Sequence, residues 1–196
     1  MIIKVCAVFI LVLFYGTYFL KMILQKRQGI STNQLGKGKK GLEKVIESIM
    51  QILTILVTIM DVWSIFFSSK QLPNLIQYIG VIIAFVGTLF FIISVKTMKN
   101  NWRAGVPKTD KTELVTEGIY KISRNPAFLG FDLLYLGFVF MFFNWILLVI
   151  SLFTIVLIHF QITKVEEPFL RETFGKSYEE YTNKVLRYLG RNFLIW

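Results

Sequence analysis

The sequence predicts an all-α integral membrane protein of five transmembrane helices, with a C-terminal helical hairpin and a short amphipathic cytosolic helix. Three observations carry that prediction. The 196 residues are 55% hydrophobic and only 17% charged, against about 25% charged in soluble domains. The apolar residues gather into runs near the ~20 residues that cross a bilayer as helix. The basic residues are distributed unevenly: residues 25–44 carry six Lys/Arg, residues 96–125 seven and residues 164–196 six, of 22 in the chain. With five spans all three segments fall on one side, and the positive-inside rule makes that side cytoplasmic and the N-terminus external.

The spans follow in order. Residues 2–24 form the first apolar run, longer than a signal-peptide core and with no small-residue cleavage site after it, so it is expected to be a span. Residues 25–44 are rich in Gly, Lys, Ser and Gln. They include Gly36-x-Gly38-x-x-Gly41, a literal match to the dinucleotide fingerprint. No strand precedes it and Lys fills the variable positions, which predicts a flexible basic loop instead. Residues 45–67 make the second span, a turn at 68–74 leads to the third at 75–95, and a second polar loop covers 96–125. The fourth span begins at Pro126 and runs to Phe143, Asn144 and Trp145 make a tight turn, and the fifth runs to Thr163. Pro168 is expected to bend or break the helix after that. Beyond it, Ser177 and Glu180 have capping-box spacing, Tyr178, Tyr181, Val185 and Tyr188 share one helical face, and Gly190 marks the end. By function the chain divides into a three-span membrane region, 1–98, and a cofactor-binding catalytic region, 99–196.

One cysteine and one histidine exclude a disulfide framework and speak against a zinc or haem site, so no metal is expected. The net charge of +10, placed next to membrane spans, suits anionic lipid headgroups rather than nucleic acid.

Polar chemistry concentrates at residues 118–130, GIYKISRNPAFLG. Asn125 followed by Pro126 reads as a helix start, Asn capping the free N–H groups and Pro losing no bond at the first position. Arg124 stands just outside, so a guanidinium and a helix N-terminus could face one anion. The hairpin returns Glu166 and Glu167 to the same membrane face, where paired carboxylates can accept from ribose hydroxyls, hold an amine, or simply solvate a helix end. A zwitterionic cofactor with a carboxylate, an ammonium and a ribose would fit this set. His159 lies seven residues before Glu166, on one face of a continuous helix, as a proton shuttle or a hydrogen-bonded helix residue. Asp132 and Asp61, within the fourth and second spans, should face the bundle interior. Each of Asp132 and Asp61 either contacts substrate, pairs with Lys96 or Lys99, or fixes helix packing.

The segments TELVTEGIYKISRNPAFLG and EEPFLRETFGKSYEEYTNKV, separated by the Asn144 turn, resemble the isoprenylcysteine carboxyl methyltransferases and the related phospholipid methyltransferases. The resemblance covers about residues 100–190. Leu114, Val115, Gly118 and Tyr120 match the family's first motif; Arg124, Pro126 and Gly130 the second; Glu166 and Glu167 the acidic pair; Phe174, Gly175, Tyr178 and Tyr181 the last.

It implies S-adenosylmethionine-dependent methyl transfer to a lipophilic or lipidated acceptor that enters from the membrane lipids. Leu114, Val115, Tyr120, Asn125, Pro126, Phe128 and Glu166 would hold the cofactor, with Arg124 and Glu167 as catalytic residues and Asp132 and His159 toward the acceptor. Asn125 stands where the family has His, Phe128 where it has Tyr, and Ile162 where the prenylcysteine enzymes have a substrate-binding Arg. Two other classes stay open at this point. A membrane sterol-type reductase would bind NADPH, and a non-enzymatic membrane adaptor would tolerate Arg124→Ala and Glu166→Ala.

Overall fold

Four of the apolar runs fold into helices long enough to cross a bilayer, and a fifth into a shorter one. The computed structural model describes residues 1–68, 72–106 and 113–192. Residues 69–71 of the predicted 68–74 turn and residues 107–112 of the second polar loop, including Thr112 of the first motif segment, lie outside the described residues. The helices are α1 (Ile2–Arg27), α2 (Gly41–Phe67), α3 (Asn74–Met98), α4 (Pro126–Met141), α5 (Trp145–Gln161), α6 (Glu167–Phe174) and α7 (Lys176–Lys184). Among the described residues there is no strand, only two isolated bridges. The four long apolar helices make this an integral membrane protein, the last of them running from Trp145 to Phe174. The 16 residues of α4 span ~24 Å at 1.5 Å per residue, less than the ~30 Å hydrocarbon core.

Small residues bring α3 and α4 together. Gly80, Ala84 and Gly87 on α3 face Gly137 and Gly130 on α4, and a methyl group added at Gly87 would lie 2.7 Å from the Gly130 carbonyl oxygen. Where lipid supplies no hydrophobic drive between helices, such close backbone approach substitutes for it. The 142–144 connection is short, as expected for a hairpin, yet α4 packs chiefly along α3, while α5 packs along α2. Asn144 supplies the N-cap of α5, accepting from the Leu147 N–H at 2.7 Å while its amide donates to Ser64 Oγ at 2.9 Å. That second bond ties the cap to the end of α2.

Three expectations about the C-terminal part need correction. Of the expected bend or break at Pro168, the break does not occur, because a π-helical turn at Ile162–Glu166 carries the chain into α6. Widening the helix by one residue accommodates the missing proline N–H, and such turns concentrate at functional sites. The predicted capping box at Ser177 does not form. Gly175 adopts a left-handed φ of +49° and itself stands at the N-cap of α7, with no side-chain cap. That helix ends at Lys184, so Tyr188 lies beyond it. Val185 and Arg191 then pair as an antiparallel bridge, which makes Gly190 (φ +125°) part of a turn rather than a helix stop.

The 25–44 loop is also more fastened than a flexible linker. The buried Glu47 carboxylate accepts from Gly36 N–H at 2.6 Å and Gln161 Nε2 at 2.9 Å, and it pairs with buried Lys39. Gln34 N–H and Ala104 N–H then join the two polar loops through Ala104 O and Thr32 O, at 2.8 and 2.9 Å. The glycine fingerprint is thus a set of left-handed turn positions folded over a carboxylate.

Candidate active site

A cavity of about 800 Å³ runs from the polar loops into the helix bundle. Its loop-side end is built on the turn at Gly118–Lys121. Gly118 has φ +58° and stands against Thr97, where a side chain would collide at 3.0 Å. Tyr120 is buried there, its carbonyl accepting from Tyr181 Oη at 2.7 Å. Leu114, Val115, Tyr120, Arg124, Asn125 and Phe128 all line this end, as do Glu166, Tyr178 and Tyr181.

Arg124 is nearly buried, its side chain 11% exposed. One guanidinium nitrogen, Nη1, lies 3.0 Å from Glu167 Oε1 and 3.2 Å from Tyr178 Oη, and the guanidinium carbon sits 6.0 Å from the Tyr178 ring centre. Its Nε–H is buried with no hydrogen-bond partner among the described residues. A buried donor left unmade costs about 1–3 kcal/mol, so this atom marks a place where an acceptor would be stabilised. Burial pushes the Tyr178 phenol up to about 12, with the Glu167 charge adding to the shift and Arg124 opposing it.

Asn125 does not cap α4. Its amide instead donates to the Arg187 carbonyl at 3.1 Å, and no side chain caps the helix. Ala127 and Phe128 in the first turn line the cavity, so the uncapped helix start opens on it. The reason for the correction is local. The C-terminal turn competes for the Asn125 side chain, and Ser123 Oγ accepts the Asn125 N–H at 3.1 Å. The Arg124 guanidinium and the uncapped helix start therefore both stand at this end of the cavity without the Asn side chain. Pro126 is buried and does not line the cavity.

The two glutamates separate in role. Glu166 lines the cavity and makes no hydrogen bond to a described residue. Glu167 is 5% exposed and fully engaged. Arg187 donates from Nε to Oε1 at 2.9 Å and from Nη2 to Oε2 at 2.8 Å, while Arg124 approaches Oε1. A carboxylate held by two guanidinium groups has committed the lone pairs that a base or an acceptor contact would use. Glu167 does not line the cavity. Arg187 was not foreseen, because twenty residues and a helix separate it from its partner and no local pattern marks it.

His159 and Asp132 are not brought to the cavity. The π turn rotates the phase between His159 and Glu166, so seven residues no longer mean one face. His159 Nδ1 lies 2.6 Å from Tyr188 Oη with the rings stacked. Asp132 is 8% exposed, one carboxylate oxygen is without a partner, and it forms no ion pair with Lys96 or Lys99. Asp61 is fully buried in the bundle, both oxygens without a hydrogen bond. Ile162 is buried in the apolar core.

The other end of the cavity was not legible as a site. It follows α2 from Met50 to Val62, ~18 Å of helix, with Leu11, Val12 and Tyr15 of α1 across from it. Because α1 packs on α3 and α2 on α5, a groove stays open between α1 and α2. Val12, Phe19, Ile55 and Ile59, which line this arm, are apolar and exposed.

A helical membrane protein whose cavity joins a charged, loop-covered end to an apolar intramembrane arm belongs to the class of membrane enzymes that bring a polar reagent to a lipophilic partner. The chain belongs to the phospholipid methyltransferase family, whose model matches residues 75–177, from the start of α3 into α7. It is similar to a probable protein-S-isoprenylcysteine O-methyltransferase of Oryza sativa subsp. indica, 27% identical over 180 residues, 89% of each chain. It is also similar to the protein-S-isoprenylcysteine O-methyltransferase of Saccharomyces cerevisiae, 31% identical over 122 residues, 61% of this chain and 51% of that one. The protein is a membrane methyltransferase, and the reductase and adaptor readings fall away.

Proposed function

We propose that the protein transfers a methyl group from S-adenosylmethionine to the carboxylate of a lipidated, isoprenylcysteine-like acceptor that enters from the bilayer. The observation that carries this reading is the single continuous cavity, polar at the loops and apolar between α1 and α2. The residues at its polar end suit the methyl donor. Arg124, with its orphaned Nε–H, and the uncapped start of α4 would take the amino-acid carboxylate. Glu166 would take the ammonium or ribose hydroxyls, and Tyr120 and Phe128 would flank the adenosyl part, with Leu114 and Val115 closing over it. When bound, the sulfonium supplies a methyl group open to in-line displacement. What the chain must do is align two partners and exclude water, and the bonds that fasten residues 32–36 to Ala104 and Glu47 support that role.

The side chains expected as bases do not line the cavity as free groups, and the carboxylates among the described residues that do line it are Glu113 and Glu166, the latter assigned to the methyl donor. An amine or thiol acceptor must lose a proton, whereas a carboxylate need not. Position 125 is Asn, His159 is paired with Tyr188, Glu167 is held by two arginines, and Asp132 lies off the cavity. That pattern favours a carboxylate, and the relatives named as isoprenylcysteine O-methyltransferases are consistent with it. With Ile162 in the core, the cations among the described residues that line the cavity are Arg124 and Arg103, the latter also donating to the Asn100 and Trp102 carbonyls.

In the proposed arrangement α4 is a fifth, short span, the N-terminus is external and the C-terminus cytoplasmic. Residues 1–98 supply the acceptor arm and residues 99–196 most of the cofactor end. The test is methyl transfer from labelled S-adenosylmethionine, by protein in lipid vesicles, to an S-farnesylated cysteine and separately to phosphatidylethanolamine. Label on the first as a base-labile ester supports the proposal. Label on the phospholipid alone overturns the acceptor assignment.

A further inference from the structure

Arg187 lies ten residues beyond the segment matched by the family model, yet its backbone and side chain are both tied into the polar end of the cavity. Its carbonyl accepts from Asn125 Nδ2 at 3.1 Å, and the neighbouring Leu186 carbonyl accepts from Arg124 N–H at 3.1 Å. Gly190 N–H donates to the Ile122 carbonyl at 2.8 Å. The C-terminal turn is therefore fastened along residues 122–125. From that turn the Arg187 guanidinium forks onto both oxygens of Glu167, and Glu167 Oε1 meets Arg124 at 3.0 Å. Arg187 itself does not line the cavity, whereas Arg124 does.

We propose that Arg187 is a positioning residue, which fixes Glu167 so that Glu167 in turn orients Arg124 toward the carboxylate of the methyl donor. The geometry has a physical reason. A lone carboxylate beside Arg124 has two equivalent oxygens and free rotation, and it could draw the guanidinium away from the cavity. A bidentate fork fixes the carboxylate plane, which leaves one oxygen edge for Arg124 and aims the Arg124 Nε–H elsewhere. Lysine would keep the charge and lose the fork.

This inference rests on the S-adenosylmethionine reading, and its test separates the two. Affinities of the purified protein are measured by calorimetry for S-adenosylmethionine and for its decarboxylated analogue, in wild type, Arg187→Lys and Arg187→Ala, with thermal unfolding alongside. Wild type should prefer the intact molecule by about tenfold or more, the scale of one charge-assisted contact of about 1.4 kcal/mol. In Arg187→Ala that preference should collapse toward unity, affinity for the decarboxylated analogue changing less than about twofold. Arg187→Lys should fall between. A role confined to holding the C-terminal turn would weaken both ligands equally, and this result overturns the inference, as does an unchanged preference. If Arg187→Ala does not fold, the lysine variant decides on the same ratio. Failure of wild type to bind S-adenosylmethionine would overturn the functional reading itself, and the positioning role with it.

Discussion

Replacing Gly87 by alanine adds one methyl group at the crossing of α3 and α4, and the structure fixes its cost. The new carbon would sit 2.7 Å from Gly130 O, 2.8 Å from Leu133 Cβ and 2.9 Å from Leu134 N. Two of the three are backbone atoms of the facing helix, so no rotamer change relieves them. Restoring an ordinary 3.4 Å separation from Gly130 O means moving α4 away by about 0.7 Å. Overpacking of this kind costs about 1–3 kcal/mol, and the upper half of that range applies where helix backbones must part. The displaced helix is also the one that begins at Pro126 and presents Phe128 to the cavity, so ligand affinity should fall with stability. Gly16, exposed on α1 with nothing within 4 Å of an added methyl, is the matched control. Alanine there should be neutral or stabilising by up to ~1 kcal/mol. Denaturant unfolding in mixed micelles measures both. Equal stability of Gly87→Ala and wild type would refute the close-packed crossing.

The apolar arm gives a second prediction: Thr58→Trp, on the α2 wall of the cavity, should raise KM for a lipidated acceptor about tenfold while leaving affinity for the methyl donor unchanged. Measuring both constants on one preparation decides it. Glu47→Ala should destabilise the fold by about 3–5 kcal/mol, because Lys39, 1% exposed, is left as an uncompensated buried charge. Lys39→Met in the same background should recover part of that loss in the same unfolding assay. For Tyr178, whose phenol is pushed up to about 12, the sign is that of a group held neutral by the fold. The folded state keeps its proton above pH ~10, where an unfolded tyrosine ionises. Stability should therefore decline between about 10 and 12, and the difference phenolate titration of wild type and Tyr178→Phe should centre near 12. A difference titration centred at 10 would show that Tyr178 is not buried against Arg124.

The long helices were legible because a bilayer leaves few options: apolar runs of spanning length must satisfy their backbone internally, and helix is what does so. The start of α4 at Pro126 was equally plain, proline having one comfortable place in a helix. What failed depended on competition between distant partners. Asn125 has every property of an N-cap, and its side chain is claimed instead by a carbonyl 62 residues away. Pro168 signals a break, but nothing local says that the helix will widen at Ile162–Glu166 rather than stop, and the lost phase took His159 off the face it seemed to share with Glu166. The Tyr178, Tyr181, Val185, Tyr188 pattern fits one helix on paper. It is divided because the chain turns back at Val185 to pair with Arg191. At the site, the residues that line the cavity were marked by local motifs, whereas Arg187 and the α1–α2 arm arise from tertiary placement alone.

The central claim is that the loop-side end of the cavity is built for S-adenosylmethionine, and the most direct measurement is calorimetric titration of the folded, solubilised protein with it. The account predicts saturable binding to one site per chain, abolished or weakened at least about tenfold in Arg124→Ala and Glu166→Ala. Absence of binding by a protein that unfolds cooperatively under the same conditions would contradict it.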